Sequence, residues 1–374
     1  MDNEATMHLS ISREEFLKAL SIVAGVVEKR QAKPLLSHIL IQTQKDGGVT
    51  LTGTDLEIEM VMMVAADIGE EGSITVPGRK LLDIVRALPA ESMVRLQTDG
   101  DRVKISAGRS RFQLSTLPVE DFPSLKEEAW EMSFTMNRSL LHRVIEKTQF
   151  CMAQQDVRYY LNGLMFETLP GSLKAVGADG HRLAMCTVAL SGDNVIEKQV
   201  IVPRKGVAEM ARFLGSEEGD VEVRLSGNHI QVRQDKLIFT SKLIDGRFPD
   251  YNRVVPASVK EVVLLPREAL REMLTRVGIV STEKFRGIRL EFNKTQLIAS
   301  ASNPERDEAV EELELEVSAP EFEVGFNVGY LIEAISAMSS AQVELGWNDS
   351  NSGCRLKPAA AEEGVVYVVM PMRL

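Results

Sequence analysis

One segment of thirteen residues recurs three times along the chain without a gap, at positions 76–88, 202–214 and 326–338. The copies begin 126 and 124 residues apart, and each has apolar residues at helical spacings and one acidic residue at its eighth position. Those acidic residues are Asp83, Glu209 and Glu333. Because a period of this length is the size of a domain, the sequence predicts three modules of about 125 residues each.

Each module has two halves, and each half combines one helical pattern with several short alternating strands. The helical patterns cover residues 13–30, 79–88, 138–149, 204–214, 267–277 and 328–338. Ser12 and Asn137 precede two of them and are of types that cap helices, whereas Pro266 suits a helix start because proline has no N–H to leave unpaired.

The strand patterns complete the prediction of fold class. Clear alternation occurs at residues 94–97, 103–106, 221–225 and 230–233, with Gly, Asp and Asn turns between the strands. We therefore expect an α+β fold in which antiparallel sheets are backed on one side by two helices per module. Proline-containing junctions near 118–132 and 249–262 predict domains at residues 1–131, 132–260 and 261–374.

Composition argues against a membrane protein, a metalloprotein and a disulfide-rich protein. No apolar run reaches the roughly 18 residues of a membrane span, and the N-terminus lacks the pattern of a signal peptide. Cys151, Cys186 and Cys354 are widely spaced, and the five histidines are scattered without metal-ligand spacing. We expect buried inert thiols, no metal, no cofactor and a location in a reducing cytoplasm.

Charge is divided unevenly along the chain. The six helical patterns hold 16 Lys and Arg against nine Asp and Glu, a net charge of +7. Since the whole chain carries −11, the remainder carries −18. If the helices line one surface, that surface attracts a polyanion while the rest of the protein repels it. The alternative at this point is that these are ordinary solvated helix faces.

No motif for catalysis or nucleotide binding is present: the chain lacks a phosphate-binding glycine loop, H-E-x-x-H and G-x-S-x-G. Asp179 and His181 could form an acid–base pair in the run Asp-Gly-His-Arg. The alternatives are a turn that the backbone requires, or a binding turn, since Leu183 and Met185 follow it. Tyr159 and Tyr160 are either half-buried core residues or platforms on which bases stack.

Seven longer strings carry a family resemblance. They are Thr52–Glu57, Gln155–Gly163, Asp179–Leu183, Val202–Gly206, Asp245–Tyr251, Glu283–Gly287 and Tyr367–Leu374. The chain resembles, from about Met7 to its last residue, the bacterial sliding clamp family, the beta subunit of DNA polymerase III.

The resemblance implies a head-to-tail homodimer whose six similar domains form a ring, with helices lining the hole and sheets outside. It implies a processivity factor and not an enzyme: the ring encircles double-stranded DNA without sequence preference. The partners implied are a clamp loader, the replicative polymerase alpha subunit, and other polymerases and repair proteins. These proteins would bind through short peptides containing Gln and Leu or Phe. Basic helices and an acidic remainder suit such a ring, because exchangeable phosphate contacts permit sliding.

Two sets of residues follow from the resemblance. The DNA-facing set is Arg30, Arg79, Gln155, Tyr159, Tyr160 and Lys205. The set at the closing interface is Arg109, Arg111 and Phe112 of one subunit with Ile279, Val280, Glu305, Asp307, Glu308 and Glu311 of the other. Apolar contact would close the interface, while ion pairs fix its register.

The resemblance also implies a pocket for partner peptides between the second and third modules. Its residues would be Leu161, Gly180, His181, Arg182, Leu183, Pro249, Arg253, Val254, Phe285, Asn327, Tyr330, Val368, Val369, Met370, Pro371, Met372, Arg373 and Leu374. The methionines give an adaptable apolar floor that suits several partners. Ala178 and Gly329 depart from the pattern, since a relative has Thr and Ser there.

Two other classes of function stay open at this point. An enzyme of nucleic-acid metabolism would use Asp179 and His181 as acid and base, and His181→Ala would then remove about 10²–10⁴-fold of its turnover. In a clamp the same substitution lowers only partner affinity. A monomeric sequence-specific DNA binder would discriminate bases and remain on linear fragments.

Overall fold

The computed structural model describes residues 7–27, 33–45, 47–125, 129–192, 195–215, 218–282, 286–359 and 364–373. Within these ranges the chain forms one repeated unit six times: a strand, a helix and three further strands. The first unit has one additional short strand at its end. The three sequence modules therefore each contain two copies of a smaller βαβββ unit, and the α+β class predicted from the sequence is confirmed.

The elements of the first two units are β1 (His8–Ser12), α1 (Arg13–Val23), β2 (His38–Gln44), β3 (Gly48–Thr54), β4 (Ile58–Ala65), β5 (Asp67–Glu70), β6 (Ser73–Pro77), α2 (Gly78–Ala87), β7 (Met93–Asp99), β8 (Arg102–Ala107) and β9 (Ser110–Ser115). Those of the third and fourth units are β10 (Met132–Asn137), α3 (Arg138–Glu146), β11 (Gly163–Leu169), β12 (Ser172–Ala178), β13 (Arg182–Ala189), β14 (Lys198–Pro203), α4 (Arg204–Leu214), β15 (Asp220–Leu225), β16 (His229–Gln234) and β17 (Leu237–Lys242). Those of the last two are β18 (Glu261–Pro266), α5 (Arg267–Val277), β19 (Gly287–Phe292), β20 (Gln296–Ser302), β21 (Glu308–Glu314), β22 (Phe322–Asn327), α6 (Val328–Ser336), β23 (Gln342–Trp347), β24 (Cys354–Pro358) and β25 (Val365–Val369).

All six predicted helices are present within the described residues. Their observed bounds differ most from the predicted ones where the predicted helix was longer than the observed one. The first ends at Val23 and not at residue 30, and the third ends at Glu146, before a short 3-10 turn at Gln149–Cys151. The prediction that Ser12 caps α1 is wrong, because its side chain makes no capping hydrogen bond. Asn327 does cap α6: its side-chain oxygen accepts from the N–H groups of Gly329 and Tyr330 at 2.9 and 3.4 Å.

Each helix buries one apolar face, as the three- and four-residue spacing predicts. In α5 the buried side chains are Leu270, Met273, Leu274 and Val277. The strands alternate in the same way, since β8 buries Val103 and Ile105 and exposes the residues between them.

The two units of one module exchange their first strands. For example, β1 pairs with β7 of the second unit, while β6 pairs with β2 of the first. Among the residues that the structure describes, all strand pairings are antiparallel, and they give four sheets. The strand orders are β5-β1-β7-β8-β9, β10-β15-β16-β17-β4-β3-β2-β6, β14-β11-β12-β13-β25-β24-β23-β18 and β21-β20-β19-β22. Both eight-stranded sheets join strands of two different modules.

Two junctions create those eight-stranded sheets, and both follow one rule. In the first unit, the last strand of the repeated βαβββ pattern is β4, and it pairs with β17, the last strand of the fourth unit. The last strand of the third unit, β13, pairs with the last strand of the sixth unit, β25. In each case unit n joins unit n + 3. The last strands of the second and fifth units, β9 and β21, end their sheets as edge strands within the described residues.

Contacts divide the chain into two compact bodies. The first comprises Met1–Arg138 and Ala208–Leu243, and the second comprises Ser139–Val207 and Ile244–Leu374. Each body contains one eight-stranded and one smaller sheet, which explains why it does not coincide with a sequence module. Of the residues that the structure describes, no helix is long and apolar enough to cross a membrane.

Candidate functional site

A cavity of about 260 Å³ opens within the second body, beside the junction of β13 with β25. Its walls are mainly apolar, and its lining residues are Arg158, Leu161, Ala178, Gly180, Arg182, Leu183, Phe248, Pro249, Tyr251, Val254, Val368 and Met370. The floor is well packed, since Leu161, Leu183 and Val368 are buried, whereas Val254 and Met370 at the rim are 43% and 37% exposed. An apolar concavity of this kind suits the side chains of a short peptide.

A tight turn between β12 and β13 shapes one wall. The Asp179 carboxylate accepts hydrogen bonds from the backbone N–H groups of His181 and Arg182 at 2.9 and 3.0 Å. Gly180 lies between them with φ of +89°, a conformation that residues with a Cβ rarely adopt. Asp179 therefore serves as a structural turn residue, and its second oxygen accepts from Arg182 Nε at 3.0 Å.

Arg182 is held on several sides at once. Its Nη2 donates to the Phe150 carbonyl at 2.8 Å, its Nη1 pairs with Glu333, and its guanidinium lies 4.4 Å from the centroid of the Tyr330 ring. The side chain is only 10% exposed. Because its hydrogen bonds, ion pair and aromatic contact all fix one rotamer, Arg182 gives the cavity a rigid charged wall.

Arg158 is a second cation that lines the cavity, and it was not among the predicted pocket residues. Its guanidinium makes a two-point contact with Asp156, with distances of 3.0 and 2.8 Å, and donates to the Asp179 carbonyl at 3.2 Å. Hydrogen bonds from Arg158 lower the pKa of the Asp156 carboxyl to about 2. The carboxylate is therefore ionised at every physiological pH and keeps Arg158 at the rim.

The segment that follows β25 is held beside the cavity by backbone hydrogen bonds. The Met370 N–H donates to the His181 carbonyl at 2.9 Å, and the Met372 N–H donates to the Gly325 carbonyl at 2.8 Å. The Met370 side chain reaches the cavity, whereas Met372 and Arg373 line a separate concavity beside β19, β20 and β21.

Other predicted pocket residues lie near the cavity or apart from it. Asn327 and Tyr330 line a neighbouring concavity with Arg182 and Glu333, and the His181 ring stacks on Tyr330 with centroids 6.4 Å apart. Arg253 is exposed and pairs with Asp250, Val369 is buried, and Pro371 is half-buried. Phe285 and Leu374 lie outside the described residues.

Phe248 and Tyr251 line the cavity although the predicted set omitted them. Both are nearly buried, at 5% exposure each. The signal was available, because the string Asp245–Tyr251 had been singled out and its Pro249 was in the predicted set. In that string proline and aspartate separate Phe248 from Tyr251. Only the fold shows which of these side chains face inward.

The predicted DNA-facing residues occupy the starts of helices and one exposed turn. Arg79 and Lys205 stand at the same position of the repeated segment, at the starts of α2 and α4. Arg79 is exposed, and its Nη2 donates to the Val27 carbonyl at 3.1 Å. Lys205 is half-buried. Gly329 takes this position in the third copy, where α6 lines the concavity that neighbours the cavity.

Gln155, Tyr159 and Tyr160 belong to the loop that precedes β11. Gln155 is exposed with φ of +54°, and Tyr159 is 57% exposed. The two tyrosine rings meet edge to face with centroids 5.7 Å apart. The loop thus presents aromatic faces and an amide to solvent. Arg30 lies outside the described residues.

The residues predicted for the closing interface lie on or next to the edge strands β9 and β21. Arg109 precedes β9, and Arg111 and Phe112 lie on it, with Phe112 38% exposed. On the other side, Ile279 is 76% exposed and Val280 half-buried, in a 3-10 turn beside β20 and β21. The acidic residues there are Glu305, Asp307, Glu308 and Glu311.

Glu311 already has a partner within the chain. Arg276 of α5 contacts both of its oxygens, at 3.0 and 2.6 Å, and these hydrogen bonds lower the pKa of the Glu311 carboxyl. Among the described residues, no group of three or more His, Cys, Asp or Glu side chains is arranged to hold a metal ion.

Comparison with known proteins identifies the class as sliding clamps of bacterial DNA replication. Three family models match in order: the N-terminal domain of the DNA polymerase III beta subunit at residues 7–126, its central domain at 135–250 and its C-terminal domain at 252–373. The beta sliding clamp of Pseudomonas putida is 47% identical over 98% of this chain and 100% of that protein.

Solved structures give the same class of protein. The crystal structure of the DNA polymerase III subunit beta from Pseudomonas aeruginosa superposes with a TM-score of 0.95 at 45% identity, covering 98% of this chain and all of that one. A second structure from that organism, bound to griselimycin, gives a TM-score of 0.93 with the same identity and coverage.

The chain belongs to the family of bacterial DNA polymerase III beta subunits. It is a DNA sliding clamp, an accessory factor that gives a polymerase its processivity, and not a catalyst. The enzyme hypothesis built on Asp179 and His181 is thereby set aside. The geometry is consistent with this, since the Asp179 carboxylate is occupied by the turn and by Arg182.

Proposed function

We propose that, in the bacterial cytoplasm, two copies of this chain close head to tail into a ring around duplex DNA. The observation that supports this most directly is the pairing rule of the sheets. Unit 1 joins unit 4 and unit 3 joins unit 6, so unit 5 has its counterpart in the second unit of another copy. The edge strand β21 would then pair with β9 of the partner, and two copies would close both junctions.

The chemistry of the two edges fits that pairing. An edge strand presents unpaired backbone N–H and C=O groups, which a second strand satisfies. Phe112 on β9 and Val310 on β21 are exposed apolar side chains, as is Ile279 beside β21. Arg109 and Arg111 would face Glu305, Asp307 and Glu308 of the other copy. Burial of the apolar side chains would stabilise the junction, and the opposite charges would set its direction.

The ring would hold DNA by enclosure and not by tight contacts. Arg79 and Lys205 repeat at one helical position, and Gln155, Tyr159 and Tyr160 are on an accessible loop, so we assign these residues to contacts with phosphate and with exposed template bases. Arg30 belongs to the same assignment. Such contacts exchange readily, which permits sliding.

Retention on DNA tests the ring. After loading by a clamp loader, we expect the protein to remain on circular DNA and to leave a linear fragment of the same sequence. A linear fragment with both ends blocked by biotin–streptavidin is the matched control and should retain the protein. Equal lifetimes on open linear and circular DNA contradict enclosure. Native mass in solution should equal two chains.

Replacement of the repeated cations tests the DNA-facing set. Arg79→Ala and Lys205→Ala should each reduce the slope of log affinity against log salt by about 0.9 for one lost phosphate contact. Lys236→Ala, at the exposed tip of the β16–β17 hairpin, is the control and should leave the slope unchanged. Unaltered slopes for both helix variants would exclude these residues from the DNA contact.

We assign the cavity beside β13 and β25 to short peptides of partner proteins: the clamp loader, the replicative polymerase and other polymerases and repair proteins. Its apolar walls fit leucine and phenylalanine side chains, and Arg158 and Arg182 at the rim can bind carbonyl or carboxylate groups. Griselimycin, which a relative binds, is a suitable probe. We expect it to compete with a labelled peptide that contains Gln, Leu and Phe. Simultaneous binding of both would refute a shared pocket.

We retain domain bounds of 1–131, 132–260 and 261–374 as part of this proposal. The three family matches fall in this order along the chain, with the third starting at residue 252.

A further inference from the structure

A row of hydrogen-bonded polar side chains crosses three neighbouring strands beneath the cavity: Glu167 is buried, Lys174 is half-buried and Gln199 is exposed. Glu167 of β11 lies directly opposite Gln199 of β14 on one side and Lys174 of β12 on the other. Gln199 Nε2 donates to Glu167 Oε1 at 2.6 Å, and Lys174 Nζ lies 3.2 Å from Glu167 Oε2. The sheet register therefore builds a satisfied charge pair in which Glu167 is only 6% exposed.

Tyr251 connects this row to the cavity. Its hydroxyl donates to Glu167 Oε2 at 2.6 Å and accepts from Lys174 Nζ at 2.8 Å, so both of its ordinary hydrogen bonds are made. The Lys174 ammonium also lies 5.0 Å from the centroid of the tyrosine ring. The rest of Tyr251 lines the cavity together with Phe248 and Pro249. One end of the side chain is thus fixed, and the other faces the binding space.

Holding strands together with charged side chains has a high desolvation free energy. Removing two charges from water costs several kcal/mol per ion, and well-packed apolar residues stabilise a core equally well. With 8% of the Glu167 side chain and 19% of the Lys174 side chain exposed, the pair is largely removed from water, which favours a role other than stability alone. Fixing the position of a neighbouring group is one such role, because charged hydrogen bonds are short and directional.

The first module provides an internal comparison. Ser73, Gln42 and Thr50 occupy the corresponding row, with Gln42 directly opposite the other two. Leu125 occupies the position of Tyr251, two residues after the matching Phe-Pro pair. The row in the first module is uncharged, and no hydroxyl reaches it from this position.

The first junction also differs at one position of the cavity floor. Glu59 occupies the strand position that corresponds to Leu183, and its carboxylate accepts from the Leu125 N–H at 3.1 Å. Burial raises the pKa of Glu59. The Glu167–Lys174 pair and Tyr251 thus occur together at the second junction, where Leu183 lies on the cavity floor. They are replaced by other residue types at the first junction, where Glu59 takes the position of Leu183.

We infer that Glu167 and Lys174 are positioning residues of the partner-peptide pocket: they hold Tyr251 by its hydroxyl so that its ring forms a fixed wall. This inference rests on the assignment of the cavity to partner peptides. A fixed wall raises affinity because the peptide does not have to order that side chain when it binds. Neither Glu167 nor Lys174 lines the cavity, so their effect on binding must pass through Tyr251.

A double-mutant cycle tests the inference. The dissociation constants of griselimycin and of a labelled Gln/Leu/Phe peptide are measured for the full-length wild type, Glu167→Gln, Tyr251→Phe and the double variant. We expect a loss of about three- to tenfold for each single variant, the usual cost of ordering one side chain when a ligand binds. We expect less than a twofold further loss when Glu167→Gln is added to Tyr251→Phe, because the hydroxyl that Glu167 acts through is already absent.

A second pair of variants covers the case in which Glu167→Gln folds poorly. Lys174→Arg retains the charge and should bind nearly as the wild type does, whereas Lys174→Met should lose about tenfold. Native mass and circular dichroism at 25 °C establish that each variant is still an assembled, folded protein.

The outcomes separate this inference from the pocket assignment. If the wild type binds both probes and Glu167→Gln binds them equally well, the positioning role is overturned while the pocket stands. An equal loss in the Tyr251 and Tyr251→Phe backgrounds also overturns it, because the effect is then a general one on the sheet. If the wild type binds neither probe, the pocket assignment fails, and the positioning role fails with it.

Discussion

Leu56 and Gly180 share a left-handed backbone conformation, with φ of +76° and +89°, at the same position of two repeated turns. In both turns the preceding aspartate, Asp55 or Asp179, accepts hydrogen bonds from the N–H groups two and three residues later, at 2.8–3.0 Å. The turn therefore belongs to the repeated module, and the pocket of the second junction uses a feature that the first junction also has. What differs is the side chain at the left-handed position.

That difference predicts a selective effect of Gly180→Ala. A Cβ at Gly180 would lie 2.7 Å from Nη2 of Arg158, so the guanidinium would have to shift from its position at the rim, and the backbone would be strained by roughly 1 kcal/mol. We expect weaker peptide binding, measured by fluorescence anisotropy, and a slightly lower melting temperature. Leu56→Ala is the matched control, since a Cβ is already present there; it should leave peptide affinity unchanged. Full affinity of Gly180→Ala would show that Arg158 is not needed at the rim.

Charge reversal on β9 should weaken the dimer. Arg109→Glu together with Arg111→Glu would place like charges opposite Glu305 and Glu308 of the partner, and like charges across an interface disfavour association. We expect at least a tenfold rise in the dimer dissociation constant, measured by light scattering over a dilution series. Adding Glu305→Arg and Glu308→Arg in the same chain should restore the dimer.

Arg102→Glu is the control for this charge reversal, because Arg102 is an exposed residue of β8, a strand that is paired on both sides. It should leave the mass unchanged. A dimer unaffected by the β9 double variant would show that the interface lies elsewhere.

Most of the fold could be predicted because its signals are local. The repeated segment predicts three of the six helices and apolar spacing predicts the other three, and the helices at Arg204–Leu214 and Arg267–Val277 have the bounds that this spacing predicts. The first helix was predicted seven residues too long, since the alternation of Val, Ala and Gly after Val23 still resembles a helical face. The equivalence of Arg79 and Lys205 was likewise readable from the repeat.

What the sequence could not provide were relationships across distant strands. The rule that joins β4 to β17 and β13 to β25 depends on backbone pairing, which leaves no mark on residue type. Tyr251 lies in a string that had been noticed, but its partner Glu167 is 84 residues away and becomes adjacent only through the sheet. Ser12 is a favourable capping residue by type, yet its hydroxyl donates to Glu14 Oε2 at 3.5 Å and makes no capping hydrogen bond with the backbone.

Removal of residues 370–374 should abolish polymerase stimulation and leave the ring intact. Met370 contributes a rim side chain to the cavity, and the N–H groups of Met370 and Met372 fasten the segment to His181 and Gly325. The segment follows β25 and adds no strand to the junction sheet, so closure should not depend on it. Primer extension with and without the variant measures stimulation, and native mass measures assembly. Stimulation at the wild-type level would refute the pocket assignment.

The Glu167 network should also make stability depend on pH in a defined direction. Burial opposes ionisation of Glu167, but hydrogen bonds from Tyr251, Gln199 and Lys174 outweigh it, and the pKa of the carboxyl is lowered in the folded protein. A carboxyl with a lowered folded pKa stabilises the fold fully above its unfolded pKa, and this contribution is lost as the pH falls through the folded pKa. Glu167→Gln should therefore melt below the wild type at pH 7, by an amount that corresponds to about 2 kcal/mol for the lost charged hydrogen bonds.

The gap between the two melting temperatures should remain constant from pH 7 to about pH 5 and narrow below about pH 4, where the Glu167 carboxyl of the unfolded chain takes up a proton before that of the folded protein does. Thermal unfolding followed by circular dichroism at pH 7, 5, 4 and 3.5 measures it. Comparison with the variant at each pH removes the contribution of the other carboxylates, which titrate equally in both proteins. A gap that widens as the pH falls would mean that Glu167 is protonated in the folded protein and donates to its neighbours, which would reverse the direction of the hydrogen bond to Tyr251.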